Sequence, residues 1–284
     1  MSCDRRSFLA AAGAGLAAAI LPGSLPAAVL EPAPGKIGAI GVQLYTLRSL
    51  LPRDFDGTLA AVREIGYREV EFAGYFDVPP KALRAMLDRH GLVAPSAHVD
   101  PAQLRTAPEP LLDAAAALGH RWVIVAWLPP AEHRTVDAWS RRAEEFNRFG
   151  ERAKARGLRF AYHNHDFEFA PLDRGIGMDA LLAGTDPALV DFELDLFWIA
   201  KAGHDPIAYL HKANGRIPMV HVKDMDGSPE RRMVDVSAGT LPFARIFAAG
   251  AALGLKHWFV EHDEPRDPFA TAATSFRYLD ALRW

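Results

Sequence analysis

The sequence predicts a single-domain (β/α)8 TIM barrel of the α/β class, and three observations carry that prediction. From Ile37 onward, short apolar runs alternate with longer amphipathic stretches, the rhythm of repeated βα units. Residues 37–284 fit the ~250 residues typical of such a barrel. The competing doubly wound sheet would carry a glycine-rich phosphate loop after an early strand. Here the first strand leads into Gln43-Leu-Tyr-Thr-Leu-Arg48, which has no G-x-G-x-x-G pattern.

The elements follow in order. Residues 1–28 stand apart: Asp4, Arg5 and Arg6 precede a small-residue apolar run from Phe8 to Leu21, broken by Pro22, Gly23 and Pro26. The run has 14 residues, short of the ~20 that a membrane-spanning helix needs. It reads as an export signal with cleavage near Ala27–Ala28, and Arg5-Arg6-Ser7-Phe8-Leu9 resembles the twin-arginine type. The expectation is a periplasmic or otherwise exported protein that uses the twin-arginine export machinery and keeps no membrane anchor after cleavage. Residues 29–36 read as a linker, and 37–284 as the barrel. Strands are expected at Ile40–Tyr45, Glu69–Phe72, Ala94–Val99, Trp122–Trp127, Arg159–His163, Val190–Asp195, Pro218–Val222 and Trp258–Glu261. Helices are expected at Phe55–Ile65, Pro80–His90, Pro110–Leu118, Ala131–Arg156 and Phe269–Leu282. Gly66, Gly91, Gly157 and Gly254 follow four helical stretches where a left-handed cap belongs.

Composition excludes several classes. Half the residues are hydrophobic and 24% are charged, so the bulk of the chain has enough apolar surface to fold. The net charge of -3 argues against a nucleic-acid binder. The single cysteine, Cys3, permits neither a disulfide framework nor a thiolate metal cluster.

The chemistry is read from the strand ends, because the carboxyl ends of barrel strands form the active-site face. Seven of the eight expected strands end in polar groups: Gln43 and Tyr45, Glu71, His98, His163-Asn164-His165, Glu193 and Asp195, His221 and Lys223, then Glu261 and Asp263. The fourth ends at Trp127. Buried polar groups are costly unless paired or coordinated, so this convergence is hard to explain as packing. Strand alternation puts Glu193 with Asp195, His221 with Lys223, and His163 with His165 on common faces. Metal-ligand candidates are therefore His163 or His165, Asp195, His221 and Glu261. Mixed imidazole and carboxylate ligation suits one divalent ion, Mn²⁺, Zn²⁺, Co²⁺ or Fe²⁺, with Mg²⁺ as a further option.

At these residues the chain resembles the xylose-isomerase-like (β/α)8 superfamily, the sugar phosphate isomerase/epimerase group that includes inosose dehydratases and ketose 3-epimerases. The landmarks are Gly41-Val-Gln-Leu-Tyr-Thr-Leu-Arg48, Tyr162-His-Asn-His-Asp-Phe-Glu-Phe169, Glu193-Leu-Asp-Leu-Phe-Trp198, His221-Val-Lys-Asp224 and Phe259-Val-Glu-His-Asp263. The resemblance implies a Glu, Asp, His, Glu metal set. Asp195, His221 and Glu261 match its last three members, while the first position falls on His163. The epimerases use a pair of carboxylates, of which Glu168 roughly matches one, and a histidine that some of them carry is replaced by Trp198.

The expected activity is metal-dependent proton abstraction beside the carbonyl of a sugar or keto-sugar, giving an enediolate and leading to isomerisation or epimerisation. The alternative outcome that the resemblance implies is elimination by a keto-sugar lyase or hydratase acting on 3-keto-glycosides or inosose-type substrates. A rival of another class is an exported barrel that only binds sugar. Lys223, His98 and Glu168 are the expected acid/base groups, with a Lys223 pKa lowered by a nearby cation. Gln43, Glu71, His165 and Trp198 are expected to recognise substrate. Tyr45 and Trp127 could pack on a sugar face, and Arg231 and Arg232 could hold an anion.

Overall fold

The computed structural model describes residues 35–284. The expected export signal at 1–28 and most of the linker lie outside the described residues. Eight parallel strands close into a barrel: β1 (Ile40–Gln43), β2 (Glu69–Ala73), β3 (Val93–Val99), β4 (Trp122–Val125), β5 (Arg159–His163), β6 (Val190–Asp195), β7 (Met219–Val222) and β10 (His257–Val260). Each pairs with its sequence neighbour in the barrel, and β10 closes the ring on β1 through Gly41↔Phe259. All eight expected strands are present, and β5 and β6 keep the expected bounds.

The helices form the outer layer. They are α1 (Phe55–Ile65), α2 (Pro80–His90), α3 (Pro101–Thr106), α4 (Pro108–Leu118), α5 (Val136–Lys154), α6 (Gly177–Gly184), α7 (Leu196–Lys201), α8 (Pro206–Ala213), α9 (Phe243–Ala252) and α10 (Pro268–Ala281). Helix α1 shows why the local sequence folds this way. Asp54 accepts the Gly57 N–H at its start, Leu59 and Val62 face the core, and Gly66 follows. Gly66, Gly91, Gly157 and Gly254 all have positive φ, as expected of residues that end helices. The long helix expected at Ala131–Arg156 is shorter. A 3-10 turn occupies Pro130–Glu132, and Thr135, extended and accepting from the Ala138 N–H, starts a new helix at Val136.

Two apolar layers result. The main core lies between strands and helices, with Phe72, Phe146, Phe160 and Phe192 wholly buried. Inside the barrel, Trp122, Ile124, Ala161, Met219 and Phe259 form a separate buried cluster. At the carboxyl end that interior turns polar. A short hairpin beyond β7, made of β8 (Asp224–Met225) and β9 (Met233–Val234), joins the barrel mouth. Among the described residues, no helix is long and apolar enough to cross a membrane.

Candidate active site

The polar floor is built around His221, which β7 holds beside Asp195 of β6 through the register Asp195↔His221. Its ring is fully buried, with Nδ1 2.6 Å from Glu261 Oε2 and Nε2 2.7 Å from Glu71 Oε1. Both nitrogens face carboxylate oxygens, so both donate and the ring is an imidazolium. Burial alone would lower its pKa, but the charges of Glu193 and Glu261 outweigh that and push it well above the usual histidine range.

Behind His221, Gln43 Nε2 donates to Glu71 at 2.7 Å, and the Ser96 hydroxyl donates to the other oxygen. Gln43 and Glu71 are fully buried, and neither lines the cavity described below. Glu71 orients the far nitrogen of His221.

Glu193 Oε2 lies 2.8 Å from His98 Nε2, 3.1 Å from His163 Nδ1 and 3.1 Å from His221 Nε2. His98 also reaches Glu71 Oε1 at 3.0 Å. Burial opposes charging His98, but Glu71 and Glu193 prevail and raise its pKa to about 9. Asp195 serves two elements. Its Oδ1 accepts the Trp198 N–H at 2.8 Å and caps α7, while burial raises its pKa to about 6. Lys223 Nζ lies 3.1 Å from Asp195, 2.7 Å from Glu261 and 2.7 Å from Asp263. Burial would lower the Lys223 pKa, yet these three carboxylates outweigh it and raise it.

The donor set fits a divalent cation. Asp195, His221 and Glu261 offer ligand atoms within 4.8 Å of one another, and so do His98, His163, Glu193 and His221. Glu193 Oε1 is buried without a hydrogen-bond partner, an arrangement a cation would relieve, while Asp195 Oδ2 has the Lys223 ammonium beside it at 3.1 Å. The sequence left His163 and His165 equivalent, and the structure separates them. His163 Nε2 lies 3.7 Å from Asp195 Oδ2, and its ring centre lies 4.3 Å from that of His221. His165 follows the strand end and sits between Phe167 and Trp198, where alternation no longer governs.

Above this floor opens a cavity of about 460 Å³. Tyr45, Trp127 and Trp198 are among its walls, and His98, His163, His165, Lys223 and Glu261 face it. Arg48 also lines it, with its guanidinium carbon 4.0 Å from the Tyr45 ring centre. The sequence reading passed over Arg48 because a single arginine beyond a strand carries no pattern. It also gave Glu193 no role in the floor, although alternation already put it on the face of Asp195. His165 Nδ1 is buried and unpartnered, and burial lowers its pKa to about 3, so the ring is neutral.

Glu168, expected among the acid/base groups, does not line this cavity. A 3-10 turn at Phe167–Phe169 carries it away, where it accepts from the Tyr162 hydroxyl at 2.6 Å and from the His165 N–H at 2.8 Å. Burial is the main cause that raises its pKa from 4.5 to about 8. A carboxyl whose folded pKa is raised gives its full stability below the unfolded value and loses it as pH climbs to the folded one. Stability should therefore fall between about pH 4.5 and pH 8, by up to about 5 kcal/mol for this group. Denaturant unfolding of wild type and Glu168→Gln across that range checks it. The stability difference between them should slope with pH, and a flat difference would refute the shift.

The model for the xylose isomerase-like TIM barrel family matches residues 59–282. The chain belongs to this family. An inosose dehydratase of Lacticaseibacillus casei is 25% identical over 272 residues, covering 80% of this chain and 89% of that protein. An inosose dehydratase of Geobacillus kaustophilus is 24% identical, covering 80% and 87%. A sugar phosphate isomerase/epimerase structure from Parabacteroides distasonis is 28% identical with a TM-score of 0.76, covering 86% of this chain and 98% of the other. The chain is thus an enzyme of the xylose isomerase-like superfamily.

Proposed function

We propose that this xylose isomerase-like enzyme abstracts the proton beside the carbonyl of a sugar or keto-sugar. One observation carries the reading: the buried Asp195, His221 and Glu261 cluster reaches a cavity through Glu261, and the wall of that cavity holds the uncommitted imidazole of His165. Asp195, His221, Glu261 and His163 would hold a divalent cation, of the Mn²⁺, Zn²⁺, Co²⁺ or Fe²⁺ type or Mg²⁺. When bound, such an ion polarises a substrate carbonyl and acidifies the adjoining C–H.

The chain's own groups do the rest. Neutral His165 receives the proton at Nδ1. Protonated Lys223 and His98 face the same cavity and stabilise or protonate a developing oxyanion. Tyr45, Trp127 and Trp198 offer flat surfaces to a sugar ring. Reprotonation of the same carbon from the opposite face, by a second group such as His98 or Lys223, is epimerisation, and return of the proton to the neighbouring carbon is isomerisation.

Elimination is the second reading, and a specific observation favours it. Glu168 lies outside the cavity, so the carboxylate pair of two-base epimerases is incomplete. A neutral base and a cationic acid suffice to remove a proton and release a β-hydroxyl as water, and inosose dehydratases are among the relatives.

Incubating metal-loaded protein with keto-sugars in D2O tests both. Deuterium at the carbon next to the carbonyl in an intact sugar supports isomerase or epimerase chemistry. A conjugated enone product supports elimination. Binding without exchange or product would reject both and leave the sugar-binding barrel. We further propose that residues 1–28 direct export, which fractionation of cells carrying Arg5→Lys, Arg6→Lys protein would check.

A further inference from the structure

A general base works only when its lone pair is aimed, and a third group usually aims an imidazole through a hydrogen bond to the other ring nitrogen. His165 is held differently. Its hydrogen bonds among the described residues run through the backbone, the N–H to Glu168 at 2.8 Å and the carbonyl from Asn164 at 3.0 Å, and its Nδ1 is buried without a partner. Other rings surround the imidazole instead. Phe167 stacks with it, the centroids 5.7 Å and the planes 9° apart. Trp198 stands at 5.5 Å and 43°, and His163 meets it edge-on at 5.2 Å and 83°. Trp198 and His163 already serve in the wall and the floor of the site. Phe167 does not line the cavity, so its stack with His165 is its one link to the chemistry.

Phe167 is backed in turn. His133 stacks on it at 4.3 Å and 22°, and Trp139 lies 6.3 Å away at 20°. Trp139 is fully buried, and a Cβ at Gly177 would overlap its indole, so this glycine lets α6 seat against it. His133 is fixed through its neighbour Glu132, the last residue of the 3-10 turn before α5. Glu132 accepts two bonds from Arg105 at 3.0 and 2.7 Å and one from Arg142 at 2.9 Å. The same two arginines bind Glu145 of α5 at 2.7–2.9 Å. Two arginines alternating with two carboxylates make a network, which holds geometry better than an isolated surface pair. It pins the turn between α3 and α5, and with it the ring that supports Phe167.

The loop itself leaves the His165 ring free. Phe167 opens the 3-10 turn that continues into Glu168, whose carboxyl accepts the His165 N–H. That bond fixes the backbone at residue 165 and leaves the side-chain torsions open, with several staggered rotamers to choose from. A flat ring parallel to the imidazole removes that choice, and near-parallel offset stacking is a favoured aromatic geometry.

We infer that Phe167 is the positioning residue of the candidate base: its ring, backed by His133, holds the His165 imidazole in one rotamer beside Trp198. The inference rests on the proposed role of His165.

Deuterium exchange by the metal-loaded protein and the order of the His165 ring test it together. Phe167→Leu keeps apolar bulk and removes the flat ring. It should lower kcat about 10-fold with KM and metal content unchanged, because a misaimed group costs rate and not binding. Phe167→Tyr restores the plane and should restore the rate. Combined with His165→Ala, Phe167→Leu should cost nothing further, since a positioning residue acts only through the group it positions. Three-bond couplings to the His165 ring, measured by NMR on isotope-labelled protein, should report one χ1 rotamer in wild type and in Phe167→Tyr, and an average over rotamers in Phe167→Leu. His133→Ala, at a half-buried site, keeps Phe167 and removes its backing. It should show a smaller loss of the same kind, and it decides the matter if Phe167→Leu is unstable. A single His165 rotamer in Phe167→Leu, or an equal rate loss with and without His165, would overturn the inference. So would an unchanged kcat in Phe167→Leu where His165→Ala slows exchange. The two readings fail separately. A rate unmoved by His165→Ala refutes the base role alone, and the couplings still decide whether Phe167 holds the ring.

Discussion

Replacing His221 with alanine should strip the metal from the protein and destabilise the barrel floor together. Loss of an outer partner of a metal ligand typically costs 10–100-fold in affinity, so loss of the ligand itself should cost more than about 100-fold. Elemental analysis of wild type after loading should give about one equivalent of a divalent metal, and His221→Ala almost none. In the metal-free protein the stability effect arises because His221 is the cation between Glu71, Glu193 and Glu261, all buried, and a ligating His221 would give up one ring proton to the ion's binding. Removing one partner from a buried charge cluster costs about 3–5 kcal/mol. The orphaned carboxylates should respond by binding protons, so their folded pKa values rise and the deficit grows as pH increases. Unfolding at two pH values checks that sign. Glu261→Ala, which leaves the His221 contact to Glu71 intact, separates metal loss from collapse of the floor. Full metal content in both variants would move the metal site elsewhere and end the proposed role of this cluster.

The sequence disclosed faces more readily than depths. β5 and β6 were legible to the residue: β5 is a Phe-Ala-Tyr run between Arg159 and His163, and β6 alternates Val190, Phe192 and Leu194 with Asp191, Glu193 and Asp195. Alternation correctly grouped Glu193 with Asp195 and His221 with Lys223, since it depends only on the pleat. It says nothing about how far along the barrel axis a side chain lies, which depends on the stagger between strands that are distant in sequence. Alternation therefore put Gln43 and Glu71 in the polar interior but did not disclose that they bond to each other and to His221. Alternation also stops where a strand stops. His163 is the last residue of β5, so His165 and Glu168 follow the path of the loop and its 3-10 turn, and they separate from it in different directions. The β8–β9 hairpin, two residues on each side, is too short for any periodic signal. It is held by single side chains, Asp224 and Asp226, that a sequence presents as ordinary loop acids.

Deleting the His165 side chain should remove the chemistry while sparing the metal. General bases typically contribute about 10²–10⁴-fold to rate. Because burial keeps His165 a weak base, its loss should fall toward the lower part of that range. The backbone at this position is held independently, since Glu168 accepts the residue 165 N–H and Asn164 accepts the Asp195 N–H. His165→Ala should therefore keep the loop, the fold and the full metal content, and lower kcat with little change in KM. Added imidazole, small enough for a cavity of about 460 Å³, should restore part of the exchange rate. The comparison with His221→Ala is decisive, because a ligand loses metal and activity together, whereas a base loses activity alone. An exchange rate for His165→Ala within a few-fold of wild type would pass the base role to another group facing the cavity. His98 and Lys223 would first have to give up protons that the carboxylates around them hold in place.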